Sequence, residues 1–168
     1  AGGVDTRLCY AIEDLVEEMA KEGDDRFDYI IIDCGPRLDM TTTNAIVALE
    51  AGNNASHIII PIKVDGFAIA GLSQTIDTIN RTAKERRRLP QHWKILQTMI
   101  ERKTSAYKVG CELLKEAIPN AEYFNTKIEK STVVPEASLA MEPLITYAPD
   151  SKPGMQYRLL AQEIEEMN

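Results

Sequence analysis

The sequence is short of the residues that build disulfide frameworks and metal clusters. Its 168 residues hold three cysteines, Cys9, Cys34 and Cys111, and two histidines, His57 and His92. An odd cysteine count with no CxxC spacing argues against a disulfide scaffold or a zinc site and fits a reducing cytoplasm. Each cysteine is expected as a small buried or half-buried residue. The histidines are too few and too scattered for a metal cluster and read as structural. No apolar run approaches the roughly 20 residues a membrane span needs, and no signal-peptide pattern opens the chain, so no membrane partner is expected. No general acid/base pair or Ser/His/Asp set is readable. The chain also begins at Ala1-Gly2-Gly3 rather than at methionine, as a fragment or a processed product would.

What is present suits a globular protein. The length allows a single domain, 1–168, with a real core. The net charge of −7 is unevenly spread. From Ile76 to Lys108 nine Lys/Arg face three Asp/Glu, a local balance of +6 that leaves −13 for the remainder. Such asymmetry points to an anionic partner at one place on an acidic molecule.

Strand and helix signals alternate. Leu8, Ile12, Leu15 and Met19 give helical spacing over Thr6–Glu22. Thr41–Ala51 reads as a second helix, capped by Thr41 or Thr42 and ended by Gly52. His57–Ile62 is a second apolar strand, with Pro61 expected near its end. A helix follows from Phe67 to Arg88, with Ile69, Leu72, Ile76, Ile79 and Ala83 inward. Trp93–Ile100 is a third strand. Ala106–Ile118 is helical with Val109, Leu113 and Ala117 inward, and Glu122–Ile128 is a fourth strand. Ser131–Met141 is a short helix and Pro143–Tyr147 is extended. Pro153-Gly154 opens a last helix with Tyr157, Leu160, Ala161 and Ile164 inward. Alternation of this kind predicts an α/β fold, a mostly parallel sheet with helices on both faces.

The most informative stretch is Phe27–Pro36, FDYIIIDCGP. Its apolar run predicts a strand over Phe27–Asp33, buried on both faces. Asp33 falls at the carboxyl end, where open α/β sheets bind ligands. It reads either as a cation-holding acid or as a cap for the helix beyond.

Four segments in order carry a resemblance. The run FDYIIIDCGPRLDMTTTNAIVAL resembles the Walker B region of the ParA/Soj/MinD deviant-Walker ATPases, in the ParA/Soj branch. HIIIPIKVDGFAIAGL, ILQTMIERKTSAYKV and the stretch from FNTKIEKSTVVPEASL to RLLAQEI are similar to the family's later segments. The resemblance covers roughly residues 27–165. It implies a P-loop NTPase-like fold, ATP and Mg²⁺ as the family's cofactors, and chromosome or plasmid partitioning. It also implies an ATP-dependent homodimer, non-specific DNA binding, a centromere-binding ParB-like partner and a cytoplasmic, nucleoid-associated setting. A MinD-like membrane ATPase is set aside, because that branch ends in a basic amphipathic helix and the residues from Gln162 on are acidic.

The family's phosphate-binding loop, K-G-G-x-x-K-(S/T), does not occur in this sequence. Without its backbone N–H cradle and lysine the phosphates have no site. The chain is therefore expected to be the carboxyl-terminal portion of a ParA-like ATPase domain, incomplete at its N-terminus, binding no nucleotide tightly and hydrolysing no ATP alone. The alternative is a non-catalytic ParA-like scaffold or regulatory module. Its sheet would leave a gap, borrow a strand, or pair Phe27–Asp33 directly with His57–Ile62.

Residue by residue, the resemblance implies Mg²⁺ at Asp33 through water and a γ-phosphate turn at Pro36, with Gly35 replacing a family proline. Thr98, Met99 and Ile128 would lie near the base, although Met99 and Ile128 also read as ordinary core and Glu129 stands where the family has proline. Lys103-Thr104 matches the family's Arg-Thr, whose arginine contributes to DNA binding. Lysine keeps the charge but loses the bidentate fork. Arg102, Lys108, Lys127 and Lys130 join it as phosphate contacts. Apart from the resemblance, Arg81, Lys84, Arg86, Arg87 and Arg88 form a separate helix-end cluster, in which Arg86, Arg87 and Arg88 read either as DNA-binding or as a solvated helix end. Glu136 reads as structural.

Overall fold

The computed structural model describes residues 6–22, 27–51, 56–86 and 93–167. They fall into two compact units. One comprises Ala1–Ile58 and Gln74–His92, the other Ile59–Ser73 and Trp93–Asn168.

In the first unit, α1 (Arg7–Glu22) packs against α2 (Met40–Ala48). Cys9 is the most buried position of α1, and Leu15 is exposed. Asp39 caps α2. Its carboxylate accepts the N–H of Thr41 at 2.9 Å and of Thr42 at 3.3 Å, so neither threonine is the cap, and Asp33 is not. The helix buries Ala45, Ile46, Val47 and Ala48. Gly52 lies outside the described residues.

Phe27–Asp33 is not a strand. Ile31 is 90% exposed, and Phe27, Tyr29 and Ile30 are also exposed. The expectation of a strand buried on both faces fails here for a physical reason. Apolar runs mark surface fit for burial, but a strand exists only where a neighbour supplies hydrogen-bond partners, and none of the described strands pairs with this one.

The second unit holds a three-stranded parallel sheet with helices around it. The strands are β1 (Ile58–Lys63), β2 (Trp93–Thr98) and β3 (Glu122–Tyr123), in that spatial order. Parallel β2 and β3 pair Lys94 with Glu122 and Ile95 with Tyr123. Pro61 sits inside β1 rather than near its end. Among the described strands β1 is at the sheet's edge, where a missing N–H is tolerated.

The fourth expected strand, Glu122–Ile128, is regular for two residues only. Beyond it the ladder resumes, with Ile128 N–H donating to the Gln97 carbonyl at 3.0 Å and a bridge between Ile100 and Glu129. In between, the N–H groups of Asn125 and Thr126 turn away to the Glu163 carboxylate. Met99, with φ of 51°, follows directly on the end of β2.

α3 (Gly66–Glu85) begins in this unit and runs into the other. Asp65 caps it through Ala68 N–H at 3.0 Å, and Ile69, Leu72, Ile76, Ile79 and Ala83 are all buried, as their spacing predicts. α4 (Ser105–Ala117) buries a different face from the one expected. Val109 and Leu113 are about half exposed and Ala117 is exposed, while Gly110 and Leu114 are buried. Gly110 lets the helix approach Val64, whose Cγ1 would stand 2.8 Å from an added Cβ.

α5 (Val133–Leu139), α6 (Leu144–Tyr147) and α7 (Lys152–Glu165) follow. The Pro143–Tyr147 segment is therefore a helical turn, not extended. Leu160 packs with Leu96, Phe124 and Ile128, and Ile164 and Met167 flank them. Tyr157 and Ala161, expected inward, are exposed.

Candidate functional site

The residues expected to serve nucleotide are divided between the units. Asp33 and Pro36 lie in the exposed segment of the first, while Thr98, Met99 and Ile128 belong to the second. Cys34, beside Asp33, is exposed rather than buried, and its thiol is pushed up first by local desolvation and then by the Asp33 charge. Met99 is exposed. Ile128 is 3% exposed and packed in the core, so its side chain is a structural element of the sheet. Among the described residues no group of three or more His, Cys, Asp or Glu could hold a metal. One exposed carboxylate without a phosphate cradle does not by itself fit Mg²⁺–nucleotide.

Charge gathers instead at the carboxyl ends of β2 and β3. Thr104 caps α4, its hydroxyl accepting Tyr107 N–H at 3.2 Å. This sets Glu101, Arg102 and Lys103 in the turn leaving the sheet. Glu129, just past the β3 region, is the hub. Its carboxylate accepts Arg102 Nε at 2.8 Å and Lys152 Nζ at 2.7 Å, and its backbone N–H donates to Gln156 at 2.9 Å. The Lys152 hydrogen bond, with Arg102 behind it, holds the Glu129 carboxyl below the usual carboxylate range. Lys130 pairs with Glu101 at 2.9 Å.

Beside this network the Tyr107 hydroxyl donates to Gln97 at 2.7 Å and accepts from Lys127 at 3.3 Å. Burial, with Cys111 next, pushes the phenol up to about 12, so it acts as a hydrogen-bonding group and not as an acid. A shallow open groove runs past Arg102, Lys127, Gln156 and Glu163.

Of the cations expected on DNA, Lys103 and Lys108 are exposed and not ion-paired among the described residues. Arg102 and Lys130 are paired, and Lys127 is held at Tyr107. Arg86 makes a bidentate bond to Glu50, with Nε and Nη2 at 3.0 and 2.9 Å. Arg87 and Arg88 lie outside the described residues, as does His92. His57 is described, and both ring nitrogens are buried without a partner there. Sequence reasoning missed Glu129 as a hub and Lys152 altogether. The only signal was that an acid occupies the family's proline position.

A parallel sheet ringed by helices, with its charged turns at the carboxyl ends of the strands, defines a P-loop NTPase-like α/β architecture. A family model described as an AAA domain matches residues 5–91, and the chain belongs to that family, within the ParA/Soj relationship. It is 32% identical to the sporulation initiation inhibitor protein Soj of Bacillus subtilis over 144 residues, covering 82% of this chain and 52% of Soj. It is 25% identical to the chromosome partitioning protein ParA of Caulobacter vibrioides over 162 residues, 96% of this chain and 57% of that protein. The chromosome-partitioning ATPase Soj of Treponema pallidum is 27% identical over 151 residues, 89% of this chain and 56% of its own length. The chain thus spans about half the length of these curated relatives. No described helix is long and apolar enough to cross a membrane.

Proposed function

We propose that the chain is the carboxyl-terminal portion of a ParA/Soj-type partitioning ATPase whose parent protein binds Mg²⁺–ATP, dimerises and holds DNA without sequence preference. In this reading it works with a ParB-like, centromere-binding partner in a bacterial cytoplasm, at the nucleoid. The observation that carries the reading is the likeness over most of this chain to about half of each of two partitioning proteins. Family motifs in the expected order along residues 27–165 support it.

The DNA contact is assigned to Lys103 and Lys108. Both are exposed, neither is neutralised by a described carboxylate, and both flank the start of α4. A lysine that neutralises a phosphate releases counter-ions, so affinity falls with salt and ignores sequence. The test is retention on unrelated DNA duplexes at rising salt, for the wild type and for Lys103→Glu. Steep salt dependence that weakens in the variant supports the reading, and equal retention of the two at low salt refutes it. A ParA-like scaffold without nucleotide binding would keep the fold but show no ATP-dependent change in DNA affinity in the native-length protein.

A further inference from the structure

We infer that Glu129 is an internal counter-ion, holding Arg102 and Lys152 back from DNA so that this surface meets a duplex with fewer cations than it carries. The inference rests on the DNA reading above and concerns how that surface is regulated.

Besides Lys127 and Lys130, four cationic side chains lie along the turn after β2, the first turn of α4 and the start of α7. Lys103 and Lys108 are in no ion pair among the described residues, while Arg102 and Lys152 share one carboxylate. The heads of Arg102 and Lys152 remain reachable, with side chains 51% and 63% exposed, whereas Glu129 is only 19% exposed. A more enclosed anion between two exposed cations is the arrangement of a fixed counter-ion. An external phosphate must displace it to be neutralised by either cation.

The local fold favours the carboxylate there. Lys152 opens α7, where a cation opposes the helix dipole and an anion suits it. Glu129 is also fixed by its own N–H on Gln156, one turn further along the same helix. Lys130 and Glu101 form a second pair, but both partners are half exposed or more, and such pairs exchange readily with other ions. Glu129 is therefore the residue that sets how many cations are free.

The experiment measures binding of the whole chain to a fluorescein-labelled duplex by anisotropy, from about 50 to 200 mM salt. Removing the one carboxylate charge adds one net cation and steepens the salt dependence, so Glu129→Gln should lose about three- to fourfold more affinity over that range than wild type. It should also bind more tightly at the lower salt. Glu142→Gln is the control, since it removes the same charge from an exposed residue that is in no described ion pair. Glu129→Gln behaving like Glu142→Gln overturns the inference, while salt-dependent binding by wild type would leave the DNA reading standing. Binding by Glu129→Gln alone upholds the inference and removes the DNA reading for wild type. No binding by any form overturns both.

If Glu129→Gln does not fold by circular dichroism, paired substitutions decide the matter. Arg102→Gln with Lys152→Gln should weaken binding much less than Lys103→Gln with Lys108→Gln, and equal losses would overturn the inference.

Discussion

The Glu163 carboxylate on α7 accepts the backbone N–H of Asn125 at 2.7 Å, at the point where the β3 region leaves the β2 ladder. Its second oxygen takes Thr126 N–H at 2.9 Å. The last helix thus completes the sheet's hydrogen bonding where strand geometry breaks. Burial raises the Glu163 carboxyl, but the Thr126 and Asn125 N–H groups outweigh it and hold the carboxyl below its ordinary value.

A pH dependence follows. A depressed carboxyl contributes stability above its unfolded value of about 4.3, and loses it as pH falls through the lower folded value. Urea midpoints from pH 6 to pH 3 should show Glu163→Gln less stable than wild type by about 1–2 kcal/mol at pH 6, the worth of charge-assisted hydrogen bonds. The gap should close below about pH 4. A gap independent of pH would show that the carboxylate charge does not matter.

Arg86 is tied to Glu50, whose side chain is 11% exposed. Removing the guanidinium leaves a mostly enclosed carboxylate unpaired. Arg86→Ala should cost about 2–3 kcal/mol, between the values for exposed and buried pairs. Arg86→Lys should recover only part, since a point charge cannot replace the fork. Thermal melts of the three proteins check the order. Full recovery by lysine would mean that charge alone is at work.

Two glycines should respond oppositely. Gly110→Ala forces a Cβ to within 2.8 Å of Val64 Cγ1 and 3.0 Å of its carbonyl oxygen, and overpacking of this kind costs about 1–3 kcal/mol. Gly71, inside α3, has nothing within 4 Å of an added Cβ. Gly71→Ala should stabilise the helix by about 0.5–1 kcal/mol. Denaturant midpoints moving in the same direction would contradict the packing described here.

These residues also mark where local pattern stops informing. The α3 stripe from Ile69 to Ala83 was legible because one face is apolar and the other charged, and its burial follows that spacing. The α4 stripe was misleading. Val109 and Leu113 repeat correctly, but closest approach is decided by the missing side chain of Gly110, which carries no hydrophobic signal. The interruption of β3 depends on an acid 37 residues away from Thr126, invisible to any local window. Tyr29–Ile32 carries a strand's composition without a strand's partner. For the candidate site, Lys103 and Thr104 could be placed from the motif. The pairing that neutralises Arg102 could not, because it joins a turn after one strand to an acid after another.

We propose that the chain is part of a ParA/Soj-type partitioning ATPase in which Asp33 meets magnesium–nucleotide only together with a phosphate cradle that this sequence does not contain. The most direct measurement is magnesium-dependent ATP hydrolysis by the native-length protein, compared with Asp33→Ala in the same background. The account predicts hydrolysis that falls at least about tenfold in the variant, or roughly 1.4 kcal/mol of barrier. Undiminished hydrolysis in Asp33→Ala, or none in the wild type, would contradict it.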